Sequence, residues 1–495
     1  MRTSVRGARA LLVSIMAAAL WLAPGGPVPA AVASPQDPAL VSKINKVMAD
    51  QRVTRARSAA AVIDARDGTE LYARYGSRAT TPASNTKLIT AVAAMDTLGP
   101  RYRFKTEAIR RGRIVDGVVQ GRLYLKGYGD PTTRVSDYAK LAAQIRAKGI
   151  TRFTGRLAVD ASYFDTQRYN PNWSTSYASD YYAAQTAALT VAPNADLDSG
   201  TIFVKYRPGR RGAPAKISTS PAAAAGYVRI VNRSTTSVSG SDTIRIRRSW
   251  GTNTITITGR VPSGRAERSR LITVDRPELL AAAVLRDELR KRGVTVAGRT
   301  ILVTTPSTSR KVIASDTSME LADLLKPFLK LSNNMHAEAL TKAMSARGGG
   351  PGSWSDGLTY TRSYLRRLGT PMSGVVLVDG SGLTRVNKLT PRAVNHVLWK
   401  VRSEPWFADF YTALPVAGVT NRAVGGTLRY RMNGTRAANN AHAKTGTLTG
   451  VTALSGYVRG RNGRLYAFSM LSQYPGSSPR PVENTFVVTL ANWNG

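Results

Sequence analysis

The sequence predicts an α/β domain built from both ends of the chain, with a β-rich middle inserted into it. Three observations point there. A strand–turn–strand pattern near the N-terminus runs directly into an amphipathic helix. Two more strand-like runs and a helix close the chain and need a sheet to pack on. Between them, from about residue 104 to 303, short alternating runs are broken by turn residues. The organisation expected is one domain of residues 40–104 and 304–495, interrupted by a β-rich insertion at 105–303.

Taken in order, residues 1–33 read as a secretory signal peptide. Arg2, Arg6 and Arg9 form a positive head, residues 10–22 are mostly apolar, and Ala31-Val32-Ala33 gives the small-x-small cleavage pattern. The apolar run falls short of the roughly 20 residues that a membrane helix needs, and a retained N-terminal anchor is the alternative. A helix is expected over 40–53. Residues 59–63 and 70–75 read as strands around Asp67-Gly68, a hairpin pair. Pro82 precedes a helix over 85–98 that carries Leu88, Ile89, Val92 and Met95 on one apolar face. In the middle, 118–125, 227–232 and 253–259 have strand character, with Gly, Ser and Thr between them. One helix, 277–292, interrupts that pattern. Beyond 315 helices dominate, and Thr390-Pro391 reads as an N-cap followed by Pro at the first helical position. Residues 451–458 and 465–471 read as strands that turn near Asn462-Gly463, and a last helix begins near 482. The hairpin at 59–75 is their natural neighbour in a sheet.

Composition narrows the chemistry. The chain has no cysteine, which excludes disulfides, thiolate metal sites and a cysteine nucleophile. Its three histidines, His336, His396 and His442, are scattered, so neither a metal nor a cofactor is expected. The formal net charge is +40. Such a field attracts polyanions but says nothing about fold. For an exported protein the available polyanions are wall polymers and anionic headgroups, and nucleic acid is not an expected partner. A surface adaptation with no specific partner is equally compatible with the charge.

Three short motifs carry reactive chemistry. Ser84-Asn85-Thr86-Lys87 sits at the start of the predicted helix, where residues three apart share a face and Lys87 can reach the Ser84 hydroxyl. Serine needs a base, and a lysine becomes one when burial removes its proton. Ser332-Asn333-Asn334 offers a second hydroxyl for proton relay and an amide to position substrate and lysine. It also reads as a plain helix N-cap. Lys444-Thr445-Gly446-Thr447 precedes the C-terminal hairpin, where a lysine and hydroxyls on a strand edge can hold a carboxylate. The glycine there allows a substrate backbone to approach closely. Each motif alone is also compatible with an ordinary surface turn or helix start.

SxxK, SxN and KTG, in that order behind a secretory signal, are the active-site set of penicillin-binding proteins and serine β-lactamases. Residues 331–338 (LSNNMHAE), 378–385 (VDGSGLTR), 414–428 (LPVAGVTNRAVGGTL) and 127–131 (GYGDP) narrow the match. The chain resembles the low-molecular-mass class C penicillin-binding proteins of the D-Ala-D-Ala carboxypeptidase/endopeptidase type, peptidase family S13. The likeness implies a transpeptidase-like domain, an antiparallel sheet flanked by helices, with two small domains inserted after the SxxK helix. Ser84 and Ser332 are farther apart in sequence than a compact β-lactamase allows, which agrees.

The resemblance implies that Ser84 is acylated, Lys87 is its base, and Ser332 and Asn334 complete the proton relay. Lys444 and Thr445 would hold the terminal carboxylate of substrate or penicillin, and backbone N–H groups of Ser84 and Thr447 would form the oxyanion hole. Leu383, Arg385 and Leu448 would shape a side-chain pocket. Substrates would be peptidoglycan peptides ending in D-Ala-D-Ala, and β-lactams would be inhibitors. Two stretches depart from the pattern. The acidic and aromatic loop that completes the pocket in some relatives maps only loosely to 173–185, with Asp180 or Tyr182 as candidates, and the turn at 421–426 is longer than expected. A serine β-lactamase or esterase using the same motifs is the competing reading, and a basic wall-binding protein with an idle site is a third.

Overall fold

The computed structural model describes residues 37–495, so the signal peptide expected at 1–33 lies outside the described residues. A five-stranded antiparallel sheet joins the two ends of the chain. Its order is His442–Leu448, Val451–Arg459, Leu465–Gln473, Arg57–Asp64 and Glu70–Arg74. The first strand of the chain pairs with the last, from Arg57 opposite Gln473 to Asp64 opposite Tyr466. This is the partnership expected between the N-terminal hairpin and the C-terminal strands.

The sheet is buried on both faces, and its side chains alternate between them with the period of two that a strand imposes. Val62, Leu454, Phe468 and Met470 face the terminal helices Pro38–Met48 and Arg480–Ala491, packing with Leu40, Ile44 and Phe486. Ile63, Ala453, Ala467 and Leu471 face the opposite layer, which includes Thr86–Leu98, Leu321–Lys330 and Asn334–Arg347. The helix expected over 40–53 is broken: it runs Pro38–Met48 and restarts at Gln51–Thr54. Asp50 causes the break, because its carboxylate accepts from Arg52 N at 2.8 Å and caps the second segment.

The intervening chain forms its own sheets. Lys105–Val115 and Val118–Gly127 make a long hairpin within a seven-stranded sheet, and Lys311–Thr317 pairs antiparallel with the first of them. Two three-stranded sheets follow, Arg268–Thr273/Thr201–Arg207/Lys216–Ser220 and Arg245–Arg248/Thr254–Thr258/Arg229–Asn232. The helix expected at 277–292 is present as Pro277–Lys291. A second helix, Val135–Ala147, packs beside it and went unread in the sequence. Tyr138, Leu141, Ala142 and Ile145 carry its buried face at helical spacing, so the signal was there. Among the described residues no helix is long and apolar enough to cross a membrane.

Two contacts fix the head of helix Thr86–Leu98 against the sheet. Asn85 Nδ2 donates to Ser455 Oγ at 2.7 Å, and Ser455 is hydrogen-bonded to Ser469 at 2.8 Å, all fully buried. Gly446 lets the outer strand lie on that head: a Cβ there would stand 2.6 Å from the Pro82 carbonyl oxygen. The sheet is therefore the platform on which the helix start is set. Phe468, fully buried against Phe486, is central to it. Phe468→Ala is expected to cost about 3–5 kcal/mol in equilibrium denaturant unfolding, as large-to-small core changes do. A loss under 1 kcal/mol would mean the sheet is not the main packing layer.

Candidate active site

Ser84 lies in the short 3-10 turn Ala83–Asn85 that leads into helix Thr86–Leu98. Ala83 adopts φ +46°, a left-handed conformation that a residue with a side chain holds only when its surroundings enforce it. The Asn85–Ser455 bond and a bond from Thr86 Oγ1 to the Ala83 carbonyl, 3.0 Å, supply that enforcement. One turn on, Lys87 is fully buried. Its Nζ is 2.8 Å from Ser84 Oγ, 2.6 Å from Asn334 Oδ1 and 2.8 Å from the Ser381 carbonyl oxygen.

Burial lowers the Lys87 pKa to about 7, against an upward pull from Asp379 and Glu338. The geometry then has a chemical consequence. A neutral amine has two N–H donors, and Asn334 Oδ1 and the Ser381 carbonyl are acceptors only. With both donors taken, the lone pair is left for the Ser84 O–H. The arrangement suits the lysine to act as a base toward the serine.

Ser332 faces the same space from the far side. It follows helix Leu321–Lys330 and adopts φ +60°. Asn333, rather than Ser332, caps the next helix, accepting from Met335 N at 2.9 Å. Lys444 is fully buried, with Nζ 2.8 Å from Ser332 Oγ and 2.8 Å from the Thr445 carbonyl oxygen. Burial, then the neighbouring Lys87, holds its pKa well below the usual lysine value. A cavity of about 390 Å³ is lined by Ser84, Ser332, Asn334, Leu383, Thr445, Thr447 and Leu448 among others.

Three expectations need correction. Gly446 is buried under Pro82, so its missing side chain serves strand-to-helix packing and not the approach of a substrate backbone. Lys444 is behind the cavity wall, bonded to Ser332, and the groups of that segment that line the cavity are Thr445 and Thr447. Arg385 is exposed and donates to the Thr449 carbonyl, outside the residues that line the cavity.

Two carboxylates were missed in the sequence. Glu338 and Asp379 are fully buried. Glu338 accepts from Gly380 N at 3.0 Å, Ser381 N at 2.9 Å and Trp354 Nε1 at 2.7 Å. Asp379 accepts from Gly382 N and Thr384 N, both at 2.8 Å, and from Trp173 Nε1 at 2.8 Å. Together they hold the 379–384 loop so that the Ser381 carbonyl meets Lys87. Burial is the main influence that raises both carboxyl pKa values. Glu338 stands four residues after Asn334, on one face of one helix, and that spacing was the available signal.

The insertion also enters the site. Tyr182 lines the cavity, its carbonyl accepts from Asn334 Nδ2 at 2.7 Å, and its hydroxyl donates to Asp180 at 2.9 Å. Asp180 itself lines a neighbouring groove, so of the two loop candidates only Tyr182 faces the cavity. The long turn at 421–426 is a short helical turn, Arg422–Gly425, with Arg422 ion-paired to Asp196 of the insertion.

An antiparallel sheet with Ser-x-x-Lys at the head of the helix beneath it is the arrangement of the penicillin-recognising serine enzymes. The chain belongs to the D-Ala-D-Ala carboxypeptidase 3 (S13) family, whose sequence model matches residues 40–493. It is 39% identical over 507 residues to a D-alanyl-D-alanine carboxypeptidase of Actinomadura sp. (strain R39), covering 100% of this chain and 93% of that protein. It is 26% identical over 407 residues to the D-alanyl-D-alanine carboxypeptidase DacB of Haemophilus influenzae, covering 81% and 82%. The fold is that of penicillin binding protein 4 (dacB) from Haemophilus influenzae: TM-score 0.78, 23% identity, 90% of this chain and 98% of that one.

The Lys87 environment sets a pH dependence. A serine activated by this lysine needs the neutral amine, so acylation of such a serine is expected to speed up as pH passes about 7 and to level off above. Glu338 pulls the Lys87 pKa up, so Glu338→Gln is expected to move that inflection to lower pH. Stopped-flow acylation by a chromogenic β-lactam from pH 5 to about 9 measures both. A rate still climbing at the upper limit would contradict the neutral lysine.

Proposed function

We propose that this serine peptidase removes the terminal D-alanine from wall peptides ending in D-Ala-D-Ala, through an acyl-enzyme on Ser84. Lys87 accepts the Ser84 proton as Oγ bonds to the carbonyl carbon between the two D-alanines. Backbone N–H groups of Ser84 and Thr447 stabilise the oxyanion, the former aided by the positive end of its helix. The C–N bond then breaks, and the departing amine takes a proton from Ser332 Oγ. Lys87 passes the proton it gained back to Ser332 Oγ. Water then attacks the ester, giving its proton to neutral Lys87, which hands it to Ser84 Oγ as the shortened peptide leaves.

In this reading the substrate carboxylate is held by the hydroxyls of Thr445 and Thr447, and Lys444 acts through Ser332. Leu383 and Leu448 form an apolar wall for a substrate side chain. The observation that carries the reading is the pairing across one cavity: Lys87 on Ser84 and Asn334, Lys444 on Ser332. Family membership supports the reaction class. The domain division at 40–104, 105–303 and 304–495 belongs to the same proposal, and the pairing of Lys311–Thr317 with Lys105–Val115 favours a return point nearer 317. Export to the wall is part of it too, and the net charge of +40 suits retention on anionic wall polymers.

Intact mass after incubation with benzylpenicillin, beside a Ser84→Ala control, tests the proposal. One adduct per chain is expected on the parent and none on the control. Free D-alanine should appear only with the parent when a peptide ending in D-Ala-D-Ala is supplied. Rapid consumption of the drug without an adduct would replace this reading with the β-lactamase one.

A further inference from the structure

Beside the catalytic cavity lies a second concavity of about 480 Å³, whose lining includes Arg245, Arg247 and Arg270 together with the apolar Phe203, Ile246 and Leu271. Arg245 and Arg247 are two apart on strand Arg245–Arg248, so they share a face about 7 Å apart. Ile246, between them, is largely buried and also contributes to the lining, while Arg248 is buried and takes no part in it. Arg270 comes from strand Arg268–Thr273, the outer strand of the neighbouring sheet.

The charge in this groove is poorly compensated. Other arginines of the same two strands have partners: Arg268 pairs with Asp242 at 3.1 Å, and Arg248 is spent on Thr273 and the Ala178 carbonyl. Among the described residues Arg245 and Arg270 make no ion pair. Arg247 has only Asp180, 3.9 Å away, and that carboxylate already accepts from Tyr182. Guanidinium groups gathered without countercharge repel one another, and a carboxylate relieves this with paired hydrogen bonds.

The groove adjoins the catalytic cavity. Tyr181 lines both spaces. Asp180 in the groove holds the hydroxyl of Tyr182, whose carbonyl holds Asn334, which in turn holds Lys87. We propose that this arginine groove binds upstream carboxylates of the same peptide whose D-alanyl end occupies the catalytic cavity, which rests on the function proposed above. The spacing suits an extended peptide with carboxylates on alternate residues, and the apolar residues in the lining suit peptide side chains. A phosphodiester polymer would gain nothing from the apolar part of the lining, and is the less favoured occupant.

The test compares two fluorescent peptides of equal length ending in D-Ala-D-Ala, one with two upstream carboxylates and one with those groups amidated. Their affinities for the full chain carrying Ser84→Ala are read by anisotropy, with and without Arg245→Gln/Arg247→Gln/Arg270→Gln. The acidic peptide is expected to bind about tenfold tighter than its amidated twin, with the advantage falling as salt rises. The arginine replacements should erase that advantage and leave the amidated peptide unchanged. Equal binding of the two peptides, or equal weakening of both by the replacements, overturns the proposal. So does loss of binding to poly(glycerol phosphate) with the peptides unaffected. Acylation by benzylpenicillin is measured separately on the Ser84 protein, with and without the three replacements. Failure of the parent to acylate would sink the proposed reaction, while the peptide comparison would still decide the groove.

Discussion

Lys87 Nζ sits within hydrogen-bond distance of Ser84 Oγ, Asn334 Oδ1 and the Ser381 carbonyl, and so joins three stretches of chain far apart in sequence. A lysine in water is protonated and useless as a base; removed from water it loses the proton more readily, because the charged form is the one that burial penalises. The rest of the site can be understood as the means of holding that buried amine in register. Glu338 and Asp379 fix the loop that presents Ser381, and Tyr182 fixes the amide that presents Asn334. The two carboxylates raise the lysine pKa while burial lowers it, and the balance leaves it near neutrality, where a base can both take and return a proton.

The fold supplies the rigidity this needs. Both ends of the chain meet in one sheet, and the head of the serine-bearing helix is fastened to it through Asn85 and Ser455. Gly446 brings the outer strand down onto Pro82, which sets Thr445 and Thr447 across the cavity from Ser84. Left-handed backbone at Ala83 and Ser332, beside and at the two serines, is conformational strain placed where the chemistry is and held by surrounding bonds. The insertion contributes more than bulk: Trp173 bonds to Asp379 and Tyr182 to Asn334, so it supports the site directly.

The architecture was largely legible in the sequence because alternation and turn residues mark strands wherever a sheet is buried, as at 451–458 and 465–471. That Ser84, Lys87, Ser332, Asn334 and Lys444 come together was legible because three short motifs had to be explained together. What was not legible depended on direction and burial. Nothing in Lys-Thr-Gly-Thr says that the lysine turns inward to Ser332 or that the glycine faces Pro82 at the helix head and not a ligand. Arg385 was read as a pocket residue, yet the chain turns it outward to Thr449. Glu338 and Asp379 were hidden because a buried carboxylate that binds backbone N–H groups has the same letter as a solvated one. The break at Asp50 was missed for a related reason, since a capping aspartate in an otherwise helical run stops it from within.

Burial brings the Lys87 pKa down to about 7, so that a large share of it is neutral near physiological pH, and this can be read from the lysine itself. Selective isotope labelling of the lysine side chains, with Lys87→Arg to assign the signal, allows its titration to be followed by NMR in the unligated protein. A midpoint near pH 7 is expected, well separated from the exposed lysines. A midpoint at the ordinary lysine value of about 10.4 would contradict the account, and a different base for Ser84 would then have to be found.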